Sequence, residues 1–349
     1  MNNIGNNLKR IRLLKNLSLR ESGKLLNMSA TAIAKYESGK IVPNSTKIIE
    51  FAKAYNVKAI ELLKVNKEIN MTFTSFRRKR TLNGERLDLL KSLIKNEVAN
   101  YFEILELDNH DTSVNFLPTY SYKNILDIQN AAIEFRKLIS LSSTQPLYNI
   151  INTLESIGII IIFIRNENNM FSDFDGLSEI VDNVPVIVLL DSQKDGAQQR
   201  FTIAHELGHL LLLNNSNDIN IEKACNIFAS SLLIPKDALI ERFGKKRRNI
   251  SYYELYAFRN DYEVSYKDII YRLKELKIVT NYIFKQLNNF INNYIGIENY
   301  NLIKNEHSFQ YKRIVHKLES SGIITINKAC ELLNISLNDY YKENYNYWY

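Results

Sequence analysis

The sequence predicts an α+β chain in four parts: a small all-α domain (1–66), a linker helix (67–122), a mostly helical domain with a small sheet (123–280) and a helical C-terminal tail (281–349). Three observations carry this. Apolar residues recur at three- and four-residue spacing through the first 65 residues and again over 87–105, the mark of amphipathic helices. The runs GIIIIFIR (158–165) and VPVIVLL (184–190) are short, branched and apolar, as buried strands are. A chain of 349 residues is too long for one ordinary core.

In the first part, Ile4, Leu8, Ile11 and Leu14 form a helical stripe. Ser18 with Glu21 three residues on makes a capping box that opens a second helix, running to Leu26. Asn27 tolerates the left-handed conformation of a tight turn. Ser29 then caps SATAIAKYESGK, which stops at Gly39. A fourth helix opens at Asn44 or Ser45, and residues 58–64 make a fifth. Residues 1–65 hold twelve Lys and Arg against four Glu, an excess of eight, while the whole chain carries +7. The basic excess therefore belongs to the first domain, where it reads either as a nucleic-acid footprint or as a solubilising surface. Two short helices joined by a tight turn in a small basic unit describe a helix-turn-helix.

The stretch LSLRESGKLLNMSATAIAKYESGKIVP resembles the helix-turn-helix of phage-repressor-type (Xre/Cro) regulators, with Ile33, the Tyr36-Glu37-x-Gly39-Lys40 run and Pro43 in place. The resemblance implies double-stranded DNA as a partner of residues 1–66. Ser29, Ala30, Thr31 and Lys35 on the second helix, with Arg20, would then face the duplex. Leu19 departs from the pattern, standing where such regulators usually carry a glutamine, and Ala30 offers only a methyl group. A helical interaction module is the other reading.

Leu87, Leu90, Ile94, Val98, Tyr101 and Leu105 form one stripe on the linker helix. It either packs on the next domain or serves as a homodimer contact. Arg77, Arg78, Lys79 and Arg80 ahead of it read as a solvated hinge or a phosphate contact.

The third part carries the chemistry. IQNAAIEFRKLI (128–139) reads as a helix, and DFDGLSE (173–179) as a turn or strand entry. In RFTIAHELGHLLL, a helix that can run to about Leu213, two of the chain's five histidines stand four residues apart. His205 and His209 therefore project from one helical face and can meet one tetrahedral cation. Glu206 lies about 100° around the helix. It misses the ion but can act as general base for a water whose pKa the metal has lowered. Gly208 leaves room for another chain segment or for substrate. The alternative is a buried helix with hydrogen-bonded histidines. A catalytic zinc site needs a third ligand. Asp218 or Asn220 can cap a returning helix, IEKACNIFASSLLIP, on which Glu222 falls near the level of the histidines. Glu222 is the third-ligand candidate, against a plain first-turn glutamate favoured by the helix dipole. Asn226, one turn on, could orient Glu222 or substrate backbone. Cys225 is a softer rival ligand that points largely away.

The pairing RFTIAHELGHLLL … EKACNIFASSLLIP, with FDGLSE and PVIVLL ahead of it and FRNDYEVSYKDIIYRLKELKIV behind, resembles the ImmA/IrrE family of metallopeptidases over roughly residues 125–280. The resemblance implies one Zn²⁺ held by His205, His209 and Glu222, Glu206 as catalytic base, and Mn²⁺ as a substitute in vitro. It also implies a regulatory protein as substrate, since family members include enzymes that cut helix-turn-helix repressors. Related fusions occur as antitoxin-like regulators, so a non-proteolytic repressor binding a toxin-like partner is the rival function.

No apolar run reaches the roughly 18 residues of a membrane span. The N-terminus lacks a signal-peptide core, and Cys225 and Cys330 are too few for a disulfide framework. The expected compartment is the cytoplasm. Lys245–Arg248 reads as a solvated loop. Tyr252, Tyr253 and Tyr256 include transition-state donors in principle, with nothing to select one. The tail YKRIVHKLESSGIITINKACELLNISLNDYYKE reads as two or three helices without an assigned task, and His307 and His316 as structural or exposed.

Overall fold

The computed structural model describes residues 3–63, 69–73, 84–109, 117–166, 170–191, 195–216, 218–294 and 303–345. The basic run Arg77–Arg80 lies outside them. Five helices open the chain: α1 (Asn3–Leu14), α2 (Leu19–Leu26), α3 (Ala30–Glu37), α4 (Ser45–Tyr55) and α5 (Ala59–Leu63). Their ends follow side-chain chemistry. Ser18 and Glu21 form the capping box of α2, and Asn27 ends it at φ 52°. The Ser29 hydroxyl accepts from Ala32 N at the start of α3, Gly39 turns the chain at φ 72°, and Asn44 caps α4. Leu8, Ile11, Leu26, Ile33, Phe51, Tyr55 and Leu62 make a separate core.

Arg12 refines the charge reading without changing its sum. Its side chain is 1% exposed. Its Nε donates to Glu37 Oε1 at 2.5 Å, Nη2 to Glu37 Oε2 at 3.0 Å and Nη1 to Leu17 O at 2.7 Å. A guanidinium fork matches a carboxylate in two bonds. One of the twelve cations is therefore an internal strut between α1 and α3, and because its partner is one of the four glutamates, the excess of eight rests on the other residues.

The linker helix α6 (Gly84–Leu107) starts well inside its expected span. Leu90, Ile94, Val98, Tyr101 and Leu105 are buried within this chain, against the sheet and a C-terminal helix. The stripe thus packs internally. At its N-terminal end α6 meets α1 through Lys9–Asp88 at 3.4 Å and Arg12–Glu85 at 3.6 Å.

The central unit contains β1 (Tyr120–Tyr122), α7 (Ile125–Leu138), α8 (Ile150–Ser156), β2 (Ile160–Arg165), β3 (Gly176–Val181), β4 (Val184–Asp191), α9 (Gly196–Leu211), β5 (Leu212–Asn214) and α10 (Ile221–Leu233). The main sheet has the order β2-β4-β3, with β2 parallel and β3 antiparallel to β4. Alternate residues face opposite layers. Ile161, Ile187 and Leu189 join the core of α7–α10, whereas Ile160, Ile162, Val186 and Val188 join that of α6. Helices cover both faces, which is why these strands read as unbroken apolar runs.

Two sequence boundaries move. β1, expected in the linker, pairs in parallel with β5, Tyr120 opposite Leu212. The metal-site helix consequently ends at Leu211, not Leu213, because a strand about ninety residues upstream in the chain offers the next backbone a partner. α14 (Asn281–Tyr294), expected in the tail, places Leu287 and Ile291 in the same core as α9, α10, α11 (Lys236–Phe243), α12 (Tyr252–Tyr262) and α13 (Tyr266–Glu275). Of the remaining helices, α15 (Gln310–Ser320) and α16 (Ile326–Leu333) meet the far end of α6, and α17 (Leu337–Tyr345) packs on α15 and α16. Tyr101 and Tyr311 rings meet at 5.2 Å, and Lys317–Asp108 and Lys328–Glu103 pair at 2.6 and 3.0 Å. Among the described residues no helix is long and apolar enough to cross a membrane.

Removing one partner of a buried ion pair strands the other. Glu37→Ala is expected to cost the N-terminal unit about 3 kcal/mol. Hydrogen exchange on the full chain should show amide protection falling across α1–α3 while α9 and α10 keep theirs.

Candidate metal centre

His205, Glu206 and His209 lie on α9 with little solvent exposure. Helix α10 folds back along α9, with His209 near Glu222, Gly208 against Cys225 and His205 against Asn226. The falling numbers show the two helices to be antiparallel. A Cβ on Gly208 would sit 3.1 Å from Cys225 Cα and 3.2 Å from its Sγ. Glycine therefore admits another chain segment there, and that segment is α10. Cys225 is fully buried in this contact and is not one of the clustered donors.

The far end of α10 is held by cations, which suit a helix C-terminus. Buried Arg136 donates to Leu232 O at 2.8 Å, and buried Arg272 to Ile234 O at 3.3 Å. Desolvation pulls the Arg136 pKa down to about 10, which leaves it charged at neutral pH.

Between the helices the side chains of His205, His209 and Glu222 converge, each imidazole Nε2 facing a different oxygen of the carboxylate. His205 Nε2 lies 3.2 Å from His209 Nε2 and 3.5 Å from Glu222 Oε2, and His209 Nε2 lies 3.3 Å from Glu222 Oε1. Atoms held about 2.0–2.1 Å from a tetrahedral ion stand about 3.3–3.4 Å apart. The two imidazole nitrogens stand at that spacing, and with one Glu222 oxygen all three ligand atoms lie within 4.8 Å of one another, close enough to share a small divalent cation. Among the described residues, these three make the one group of His, Cys, Asp and Glu donors close enough to share an ion. The Glu222 side chain is 44% exposed, so the cluster opens to the surface on that side.

Asn226 acts otherwise than the sequence suggested. Its Oδ1 lies 2.8 Å from His205 Nδ1. An amide oxygen only accepts, so His205 carries its proton on Nδ1 and directs the Nε2 lone pair into the cluster. Antiparallel packing sets this pairing: one turn beyond Glu222, α10 is level with His205, not with Glu222.

Glu206 is 1% exposed. Ser178 on β3 donates from Oγ to Glu206 Oε2 at 2.9 Å. Two residues earlier, a Cβ on Gly176 would lie 3.1 Å from both Glu206 Cγ and Oε1. Gly176 and Ser178 share one face of the strand and together make a slot for the carboxylate. Sequence reasoning missed both. The usable signal was the Gly-x-Ser alternation inside DFDGLSE, once the strand entry is chosen over the turn for that segment. Glu179 serves another contact, accepting from Thr72 N, Thr72 Oγ1 and Phe73 N at 2.6, 2.7 and 3.0 Å.

The expected duplex-facing residues also have places. Arg20, Ser29, Thr31 and Lys35 are exposed and Ala30 is half-buried. The Ser29 hydroxyl is engaged in capping α3. Elsewhere, Tyr252 meets Tyr266 through its hydroxyl and Tyr256 and Phe290 through its ring. Arg247 of the basic loop pairs with Glu254. His307 is exposed, and His316 bonds the Tyr340 hydroxyl.

Fold and donor set together define a helix-turn-helix protein that carries a metallopeptidase-like domain. Residues 8–62 match the helix-turn-helix family, and residues 154–274 match the IrrE N-terminal-like domain of peptidase family M78. Over 106 residues the chain is 32% identical to the radiation response metalloprotease IrrE of Deinococcus radiodurans, covering 26% of this chain and 31% of that protein. Over 82 residues it is 34% identical to the radiation response metalloprotease IrrE of Deinococcus deserti, covering 19% and 29%. The chain thus spans less than a third of the length of these relatives.

Loss of the hydrogen bond that sets a ligand's tautomer typically costs 10–100-fold in metal affinity. Asn226→Ala should weaken affinity by about that factor, measured by titrating Zn²⁺ against a competing chelator. Glu222→Ala should weaken it further.

Proposed function

We propose that this chain is a DNA-bound, zinc-dependent endopeptidase of the cytoplasm whose substrate is a regulatory protein. The observation that carries the reading is the cluster of His205, His209 and Glu222: the two imidazole nitrogens stand 3.2 Å apart and each has a Glu222 carboxylate oxygen within 3.5 Å, so one small cation can reach all three side chains. Two imidazoles and one carboxylate favour zinc over the hard, oxygen-seeking cations, with Mn²⁺ a workable replacement in vitro. Bound zinc supplies Lewis acidity toward a peptide carbonyl and lowers the pKa of water.

The protein's own part is geometric. Asn226 fixes the His205 ring, and α10 holds Glu222 beside the two histidines. Glu206, kept in its slot by Ser178 and Gly176, takes a proton from the attacking water and returns it to the leaving amine. Exposure on the Glu222 side lets an extended loop of a folded substrate approach. Residues 1–66, with Arg20, Ser29, Ala30, Thr31 and Lys35 toward the duplex, bring the peptidase to DNA where the target regulator works. The match to the helix-turn-helix family supports DNA as a partner, and the match to the IrrE N-terminal-like domain supports a metal-dependent peptidase.

The test uses the purified full chain, Zn²⁺ or Mn²⁺, and the product of the neighbouring gene as substrate. Wild type should bind one zinc and cut the partner. Glu206→Gln should keep the zinc and lose cleavage by about 10²–10⁴-fold, the usual contribution of a general base. A chelator should stop cleavage and leave DNA binding in place. Equal survival of the partner with wild type and Glu206→Gln, both zinc-loaded, would sink peptidase action on it and favour a binding-only antitoxin.

A further inference from the structure

The C-terminal helices repeat the build of the N-terminal DNA-reading unit, residue by residue. Helix α2 has eight residues, is capped by Ser18 and ends on Asn27 at φ 52°, ψ 43°. Helix α16 has eight residues, is capped by Thr325 and ends on Asn334 at φ 52°, ψ 47°. Each asparagine is followed by one half-buried apolar residue, Met28 or Ile335, and then by a serine cap. Ser29 Oγ accepts from Ala32 N, and Ser336 Oγ from Asp339 N, both at 3.1 Å. The fourth residue after each cap is buried alike: Ser22 and Ala329 at 0%, Ile33 at 0% and Tyr340 at 2%. A preceding helix braces the second one in both units. Arg12 of α1 grips Glu37 of α3, and His316 and Glu319 of α15 meet the Tyr340 hydroxyl of α17 at 3.1 Å.

A left-handed residue and a serine cap also join α12 to α13, at Glu263 and Ser265. There the first residue of the second helix, Tyr266, is buried in the central core. The start of α17 instead turns one face to solvent while Tyr340 anchors the other. Leu337, Asn338, Tyr341 and Lys342 are exposed and fall where α3 carries Ala30, Thr31, Ala34 and Lys35. Asparagine reads adenine edges, an apolar side chain meets a thymine methyl, and lysine meets phosphate. Residues 310–345 carry five Lys and Arg against four Asp and Glu; Lys317 and Lys328 are turned to Asp108 and Glu103, so the cation of the α17 face is Lys342.

The two units share one spacer. α1 holds α6 at Glu85 and Asp88, and α15 and α16 hold it at Tyr101, Glu103 and Asp108. These points are thirteen to twenty-three residues apart, or about 20–35 Å at the rise of an α-helix. Half-sites one duplex turn apart lie about 34–36 Å from each other. We propose that α15–α17 is a second DNA-reading unit, so that one chain contacts two successive half-sites as a dimer of single-unit regulators would.

The test does not involve the metal site. The full-length chain selects from a pool of random duplexes about 40 base pairs long, roughly four turns. The bound duplexes are footprinted, and the complex is sized by sedimentation. The expected result is one chain on two protected blocks centred about 10 base pairs apart. Asn338→Ala/Lys342→Ala changes exposed positions only. It should erase one block and weaken binding about tenfold or more, with the circular dichroism spectrum unchanged. Thr31→Ala/Lys35→Ala should erase the other block. A single block per chain, two blocks from two chains that both answer to α3, an α17 variant with unaltered footprint and affinity, or no enriched duplex would each overturn the proposal.

Discussion

The close approach of α9 and α10 is the constraint on which the site depends. Its three metal-ready donors come from two helices, so their spacing is the spacing of those helices. Gly208 lets the backbone at Cys225 come within contact distance, and Leu207, Ala224 and Phe228 close the apolar side of the same seam. Arg136 and Arg272 hold the C-terminal end of α10. Interiors pack densely and shift little, so the two buried histidines are set by the seam, while Glu222 stands at its exposed edge.

The sheet adds what the helical hairpin lacks. β3 lies at the edge of the sheet and carries two neighbouring residues with different duties. Ser178 steadies Glu206, and Glu179 clasps the segment at Thr72 and Phe73 that follows the N-terminal unit. A single strand thereby touches both the general-base candidate and the connection to the DNA-reading end. α6 plays a comparable part at larger scale. It buries one stripe against the sheet, receives α1 near its start and α15 and α16 near its end, and so fastens three units to one rod. A further tie joins the C-terminal segment to the site helix: Gly196 N donates to Ile303 O at 2.9 Å, and the buried Arg200 pairs with Glu306.

Much of the local structure was legible in the residues because its causes are local. Ser18 with Glu21, Asn27, Ser29 and Asn44 announce helix ends through bonds to backbone groups a few positions away. His205 and His209 share a face because a helix turns every 3.6 residues, and Asn220 caps α10 where Glu222 needs to begin. What escaped notice depends on contacts far along the chain. Nothing near Leu212 or Tyr120 tells that they pair. Nothing near Arg12 tells that Glu37 waits for it across a core, and nothing in Asn226 says that it will meet His205 before Glu222.

By itself, then, the sequence determined the periodic elements, their caps and the identity of the donors, since each rests on short-range geometry and on the chemistry of single side chains. Only the tertiary structure decided which face of α10 meets α9, which strand supplies the hydroxyl to Glu206, and that the tail repeats the opening unit on a common helix. Those outcomes come from burying apolar faces against partners distant in the chain, and a side chain's reach across a packed seam is a property of the seam and not of the residue.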